Sequence, residues 1–188
     1  MEADVELTFG EVERVLMALH GLVGEKRRVT LRSRLQHLQR AGFPPGVKVG
    51  RGPKVAYGPD GFFQLVLALQ LAEARIPPVH AARLVVADWA ALRRFVDDGM
   101  ALYRAGARAP GQPDRWCVVE LAGLSGLRAD GVDEVEKVHE VAAAVLVAEM
   151  LGGAPPPRGP RLLVDVTGLT VRALVALDAD RREKTGMD

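Results

Sequence analysis

Residues Lys26–Asp60 read KRRVTLRSRLQHLQRAGFPPGVKVGRGPKVAYGPD, and this stretch decides the fold. It carries nine lysines and arginines, at positions 26, 27, 28, 32, 34, 40, 48, 51 and 54, and no acidic residue between the first and the last of them. The whole chain of 188 residues has a formal net charge of only +1, so positive charge is concentrated here. A basic segment without acids of its own favours an external polyanion as partner.

The first part of this stretch has the pattern of an amphipathic helix. Its apolar residues recur at helical spacing, at Leu31, Leu35 and Leu38, and polar or basic residues occupy the other faces. The pattern predicts a helix from Val29 to Ala41, with Thr30 as its N-cap. Gly42 stands where a left-handed C-terminal residue is expected, and the two prolines that follow Phe43 end the helix.

Two short extended segments come next, Val47 to Val49 and Val55 to Tyr57, separated by a link rich in Gly and Pro. This arrangement predicts a β-hairpin. Upstream, Leu7 to Leu22 predicts a first helix that begins with a capping box of Thr8 and Glu11. A first helix, a basic helix and a hairpin with basic residues in its turn are the pattern of a winged helix-turn-helix.

The same residues resemble the N-terminal domain of the MerR family of transcription regulators. The likeness rests on Leu31-Arg32 followed by Gly42-Phe43-Pro44-Pro45, on Lys54, Tyr57 and Asp60 at the end of the hairpin, and on the corner Ala74 to Val79. It covers about half of the chain, from Leu7 to Val96. It implies that Arg32 corresponds to the Arg of the family's Leu-Arg pair and that Arg51 and Lys54 stand in for its wing Arg.

Two sets of residues are the candidate contacts to double-stranded DNA. One set is expected to face the major groove, namely Thr30, Arg32, Ser33, Arg34 and His37. The other is expected to hold phosphates, namely Arg27, Arg28, Arg40, Lys48, Arg51, Lys54 and Tyr57. RNA is a weaker candidate because the segment lacks an aromatic platform on which bases could stack.

Two further helices are predicted before the middle of the chain. Phe62 to Arg75 is apolar on nearly every side and is expected to be central to its domain. Val79 to about Ala105 reads as one helix whose stripe has coiled-coil spacing, at Val85, Trp89, Leu92, Val96, Gly99 and Tyr103. The resemblance implies that this helix pairs with its counterpart in a homodimer. The alternative is that the stripe packs on the protein's own C-terminal half.

Beyond a linker at Gly106 to Asp114 the pattern changes. Arg115 to Leu121 and Arg161 to Val166 predict strands, and Val132 to Leu151 predicts a helix between them. A short helix at Leu169 to Asp178 and a frayed tail follow. The predicted class is α+β: a mainly helical winged helix-turn-helix at 1–78, a connecting or dimerisation helix at 79–106, and a small α/β dimerisation or sensor unit at 107–188.

Candidate chemistry outside the basic stretch is sparse. No nucleophile, phosphate-loop or dinucleotide motif is present, so we expect no enzymatic activity, no cofactor and no metal. Glu136, His139 and Glu140 would share one helical turn, where a solvated face is the simpler interpretation. Glu120 and Asp165 could pair as acid and base if their strands are neighbours. The single cysteine, Cys117, is expected to be a buried small hydrophobe.

Apolar runs are too short to cross a bilayer, and the N-terminus lacks the features of a secretory signal, so we expect a cytoplasmic, nucleoid-associated protein. The prediction is a bacterial sequence-specific transcription regulator, a homodimer that reads an inverted repeat, with RNA polymerase as a further candidate partner. Two alternatives are a phage-related or recombination accessory DNA-binding protein, and a ligand-binding or enzymatic α/β module with an incidental basic helix.

Overall fold

The computed structural model describes residues 6–47, 56–109, 115–120, 137–142, 145 and 161–186. Its helices are α1 (Phe9–Leu19), α2 (Glu25–Arg40), α3 (Pro59–Glu73), α4 (Pro78–Ala87), α5 (Trp89–Arg104) and α6 (Val166–Thr185). Its strands are β1 (Leu7–Thr8), β2 (Ala56–Tyr57), β3 (Arg115–Glu120), β4 (Lys137–Ala142) and β5 (Arg161–Val164). Helices with small antiparallel sheets make the chain an α+β protein, as predicted.

The start of α1 is built as the sequence indicates. The Thr8 hydroxyl accepts from the backbone N–H of Glu11, and the Glu11 carboxylate accepts from the backbone N–H of Thr8, which completes the capping box. Strand β1 pairs antiparallel with β2, so that Leu7 stands opposite Tyr57. The predicted hairpin partner of β2 lies partly outside the described residues, and within them the partner of β2 is β1.

Helix α3 is central, as predicted. It runs from Pro59 rather than Phe62, and its buried residues cover nearly every face of the helix, including Phe62, Phe63, Leu65, Val66 and Leu69. Such a helix is surrounded by other elements rather than lying at the surface.

The predicted long helix from Val79 to Ala105 is wrong, because it is two helices. Asp88 leaves helical geometry, with φ −107° and ψ 19°, and separates α4 from α5. The break lets each helix pack on a different neighbour. Helix α4 lies mainly against α3, and α5 lies mainly against α6.

The stripe predicted for dimerisation packs inside the chain, as its alternative interpretation had it. Val85, Leu92 and Val96 are buried by other parts of the same protomer. Trp89 and Tyr103 are half-buried; the Trp89 indole donates to Asp60 of α3, and the Tyr103 hydroxyl donates to Asp178 of α6. In this conformation Val85, Leu92 and Val96 are not available to a second chain.

Gly99 explains how closely α5 and α6 approach each other. A Cβ atom at this position would lie 2.6 Å from the Cβ of Thr170 and 2.7 Å from the carbonyl oxygen of Thr167, both on α6. Real Cβ atoms do not come this close to their neighbours. The one position that breaks the apolar stripe is therefore a point of close contact between the two helices.

The C-terminal part agrees only in part with the predicted strand, helix and strand: β3 and β5 are strands and residue 145 is helical, but residues 137–142 of the expected helix are not. Residues 137–142, which lie within the helix expected at Val132 to Leu151, form β4, and the sheet has the antiparallel order β4-β3-β5. The valines of β4 take part in the pairing: Val138 stands opposite Val119, and Val141 stands opposite Trp116. Pairing with a buried neighbour has overridden the helical tendency of the surrounding Ala-rich sequence.

The last helix is also longer than predicted. Helix α6 continues to Thr185, past the tail that was expected to fray from Asp178 onward. The reason is contact with α1: Asp180 is buried and accepts from Arg14 at 2.5 and 3.2 Å, and Lys184 donates to Glu11 at 2.9 Å. The first and last helices of the chain are therefore packed together.

A single cluster of buried apolar side chains runs from Leu7 to Leu177 and draws on all three predicted regions. Residues 110–114 of the predicted linker lie outside the described residues. Among the helices that the structure describes, none combines the length and the apolar character needed to cross a bilayer.

Candidate nucleic-acid interface

The three leucines of α2 are buried, and most of its polar residues are exposed. Leu31, Leu35 and Leu38 are buried, whereas Thr30, Ser33, Arg34 and His37 are exposed. The spacing of three, one and three residues puts these four side chains in one stripe along the helix. Four of the five residues predicted to face the major groove therefore share one accessible surface.

The helix begins earlier than predicted. Gly24, with φ +93°, is the residue before its first turn, and Thr30 is not an N-cap. Instead the Thr30 hydroxyl donates to the carbonyl oxygen of Lys26, at 2.9 Å. Gly42 has φ +79°, the left-handed conformation that was expected beyond the C-terminal end.

Arg32 is the exception among the five major-groove candidates. Its Nε donates to Oε1 of Glu13 at 2.9 Å, and its Nη2 donates to Oε2 at 2.8 Å. Arg28 adds a third bond to the same carboxylate, from Nε at 3.2 Å. Glu13 lies on α1 and its side chain is completely buried, so this cluster joins α1 to α2.

Electrostatics in the cluster favour the ion pair. Burial by itself would raise the pKa of Glu13, but hydrogen bonds from Arg32 and then Arg28 outweigh it and hold the pKa below its ordinary value. Glu13 is therefore charged near neutral pH. Two of the six cations of the basic stretch that the structure describes, Arg28 and Arg32, have an acidic partner within the chain, which corrects the expectation that the whole stretch needs an external anion.

The remaining described cations of the stretch lie on the surface of α2. Lys26, Arg27, Arg34 and Arg40 are exposed. The one acid in the helix is Glu25, at its first position, within 3.7 Å of Arg28. The exposed surface of α2 therefore carries cations near its start, its middle and its end. Lys48, Arg51 and Lys54, the predicted wing contacts, lie outside the described residues.

Tyr57 is not at the surface, which corrects its assignment as a phosphate contact. Its side chain is fully buried, and its hydroxyl accepts from the amide of Gln39, on the buried side of α2. Burial raises the pKa of Tyr57 to about 12, so the phenol stays neutral. Tyr57 links β2 to α2 and contributes to the position of the basic helix.

The side chains of the other candidate sites do not lie together in the structure. In the β3–β5 register Glu120 stands opposite Arg161 and Cys117 opposite Val164, so Asp165 lies at the other end of the pair from Glu120. Asp165 instead accepts from the backbone N–H of Gly168, at 2.7 Å, and caps α6. Glu120 and Asp165 are therefore too far apart to act as the predicted acid and base pair.

The predicted helical turn of Glu136, His139 and Glu140 is also wrong, because 139 and 140 lie in β4 and consecutive strand residues point to opposite faces. Glu136 lies outside the described residues. Within the part of the chain that the structure describes, no three His, Cys, Asp or Glu side chains are grouped closely enough to hold a metal ion. Cys117 is buried, as predicted, and burial raises its pKa to about 12.

Sequence reasoning missed two residues that shape the interface, Glu13 and Gln39. Glu13 sits beside the apolar stripe of α1, and no spacing rule connects it with two arginines of another helix. The available signal was the charge imbalance itself: a long basic run next to an acidic helix invites pairing between them. Gln39 gave no signal, because a glutamine between Leu38 and Arg40 is ordinary in a surface helix.

No protein-family model matches the chain, and none of the curated proteins is significantly similar to it. The function is therefore argued from the residues. The feature with the most distinctive chemistry is the exposed face of α2, with its basic and hydrogen-bonding side chains on a scaffold fixed by Glu13 and Tyr57.

Proposed function

We propose that this protein is a sequence-specific regulator of transcription that binds double-stranded DNA with the outer face of α2. The observation that carries the proposal is the stripe of Thr30, Ser33, Arg34 and His37, exposed along a basic helix. Arginine suits the edge of guanine, and short hydroxyl side chains suit several bases. A stripe that combines these groups is adapted to reading bases rather than only to holding phosphates.

The shape of α2 supports the same proposal. A helix of 16 residues is about 24 Å long, and the major groove of B-DNA is about 12 Å wide, so the helix can lie in the groove over several base pairs. Lys26, Arg27 and Arg40 stand near its two ends, where they can reach the phosphates on either side. Arg28 and Arg32 are assigned to the scaffold instead.

The scaffold around α2 supports a helix-turn-helix of the MerR-like type, with α1 as the supporting helix. Helix α1 carries Glu13, and β2 carries Tyr57, and both side chains contact α2 from its buried side. The predicted wing, with Arg51 and Lys54 on phosphates, lies outside the described residues and stays a prediction. The homodimer, the inverted repeat and the contact with RNA polymerase remain predictions, and a dimer would use surfaces other than Val85, Leu92 and Val96.

Binding to duplex DNA across a salt series tests the proposal. The wild-type protein is compared with Arg34→Ala on a randomised 24-base-pair library and on the duplexes selected from it. For each phosphate engaged, log K is expected to fall by about 0.9 per decade of salt. Arg34→Ala is expected to lose about 1–3 kcal/mol of binding free energy, chiefly on sites that contain the preferred guanine.

The matched control is Arg94→Ala, an exposed arginine of α5. It removes the same charge from another helix and should leave sequence preference unchanged. If the wild-type protein ignores duplex DNA at low salt, the proposal is wrong. If it binds DNA but deletion of the gene leaves transcription unchanged, the accessory DNA-binding alternative replaces the regulator.

A further inference from the structure

One valine stands on the exposed side of α2. Val29 is 54% exposed, whereas the three leucines of the helix are buried. Its neighbours on the helix surface are Glu25 and Lys26, one turn before it, and Arg32 and Ser33, one turn after it. An apolar side chain therefore lies among the cationic and hydroxyl groups that face outward.

The adjacent residue adds a second methyl group. The Thr30 hydroxyl donates its proton to the carbonyl oxygen of Lys26, at 2.9 Å, so that proton is not available to a base. The group that distinguishes Thr30 from serine is then its γ-methyl. The N-terminal half of the exposed stripe is thus rich in methyl groups, while the C-terminal half holds Arg34 and His37.

The surroundings of Val29 indicate what covers it. Lys26 and Arg32 flank Val29 on the helix surface, with Glu25 as the one acid beside it, and this net positive charge matches a polyanion better than an apolar protein surface. A single valine is also far smaller than the roughly 800 Å² per partner of a stable protein interface. In the DNA major groove, the apolar group that a side chain can contact is the C5-methyl of thymine.

We propose that Val29, together with the methyl group of Thr30, reads thymine methyl groups in the major groove, so that the N-terminal turns of α2 select A·T pairs. The proposal rests on DNA binding by the outer face of α2 and specifies its base preference. It also gives the helix a direction along the site: thymine lies near its N-terminal turns, and guanine near Arg34.

Replacing thymidine by deoxyuridine tests this directly, because it removes only the methyl group and leaves every hydrogen-bonding edge unchanged. The probe is the tightest duplex selected by the wild-type protein from the randomised library, with each thymidine replaced in turn. At a contacted position the wild-type affinity should fall about fourfold, as expected for one buried methyl group. Val29→Ala should bind the thymidine and deoxyuridine duplexes nearly equally at that position.

Two further variants sharpen the comparison. Thr30→Ser deletes one methyl group and keeps the hydroxyl, and should weaken discrimination at the same or the adjacent position. Val86→Ala makes the same substitution as Val29→Ala at another exposed valine, 43% exposed and on α4, and should keep the full fourfold effect. Both altered residues of α2 are exposed, so the variants are expected to unfold at the wild-type temperature.

Three results would overturn the inference. The first is a wild-type protein that binds its selected duplex and tolerates every deoxyuridine. The second is a Val29→Ala variant that keeps the full discrimination. The third is a change of molecular mass in Val29→Ala on light scattering, which would place the valine in a protein interface. In the first two cases DNA binding itself stands; only failure to bind any duplex at low salt removes both proposals.

Discussion

The guanidinium of Arg32 donates two hydrogen bonds to the carboxylate of Glu13, at 2.9 and 2.8 Å. The arginine side chain is 41% exposed and the glutamate is fully buried, so the pair lies where α2 meets α1 at the edge of the core. A two-point contact of this kind fixes direction as well as distance. It sets how α2 is rotated about its axis, and therefore which residues face outward.

This contact predicts that Arg32 contributes much more than Arg34 to the stability of the fold. Arg32→Ala should reduce the free energy of unfolding by about 2–3 kcal/mol, because it leaves a buried carboxylate with Arg28 as its remaining partner. Arg34→Ala should change it by less than about 0.5 kcal/mol, because Arg34 is exposed. Urea denaturation of both variants measures the difference. Equal stability of the two variants would show that the Glu13 contact does not hold the helix.

Tyr57 gives a second prediction, on the scaffold below α2. Tyr57→Phe removes the hydroxyl that accepts from Gln39 and leaves a buried amide without that partner. The cost in unfolding free energy should be about 1–2 kcal/mol. DNA affinity measured well below the melting temperature should stay at the wild-type value. The reverse result, normal stability with weakened binding, would restore Tyr57 as a phosphate contact.

The parts of the fold that could be predicted are those set by local chemistry. The capping box of Thr8 and Glu11, the buried leucines of α2 and the uniformly apolar α3 follow from patterns within a few residues. The parts that were mispredicted depend on distant partners. Helix α6 extends because Arg14 holds Asp180, and β4 forms because β3 lies beside it. Neither contact has a signal in the local sequence.

The candidate site shows the same division. Periodicity correctly separated Thr30, Ser33, Arg34 and His37 from the buried leucines. The prediction placed Arg32 beside Arg34, although residues two positions apart on an α-helix lie on nearly opposite sides of it. Their difference comes from α1, because only Arg32 lies within reach of Glu13. A charge pattern shows that a surface is basic, and the partner helix decides which charges are free for a ligand.

The contact of α5 with α6 gives a third prediction, at Gly99. Gly99→Ala puts a Cβ atom 2.6 Å from the Cβ of Thr170, so one of the two helices must shift. We expect a loss of about 1–3 kcal/mol of unfolding free energy, although alanine favours helices. Gly10→Ala in α1 is the control, because its nearest neighbour is the flexible end of Arg14, at 3.5 Å. If both variants are equally stable, the helices are not in close contact at Gly99.

The last prediction concerns pH and the contact between α1 and the end of α6. A hydrogen bond from Lys184, and then that from the Thr8 backbone, lowers the pKa of Glu11 from its ordinary value of 4.5 to about 2. A carboxylate with a lowered pKa in the folded state stabilises the protein above pH 4.5, and this stabilisation is lost as the pH falls from there to about 2. Because Lys184 is partly exposed, we expect it to amount to about 1 kcal/mol.

Glu11→Gln isolates this contribution, since glutamine can keep the capping box and lacks the charge. At pH 7 the variant should be less stable than the wild-type protein by that amount, and the two should converge as the pH approaches 2. Unfolding free energies from urea denaturation at several pH values measure the convergence. Glu183→Gln, which removes an exposed acid from the same end of α6, is the control for the change in net charge. A constant difference between wild type and Glu11→Gln would mean that the charge of Glu11 plays no part in holding α6 against α1.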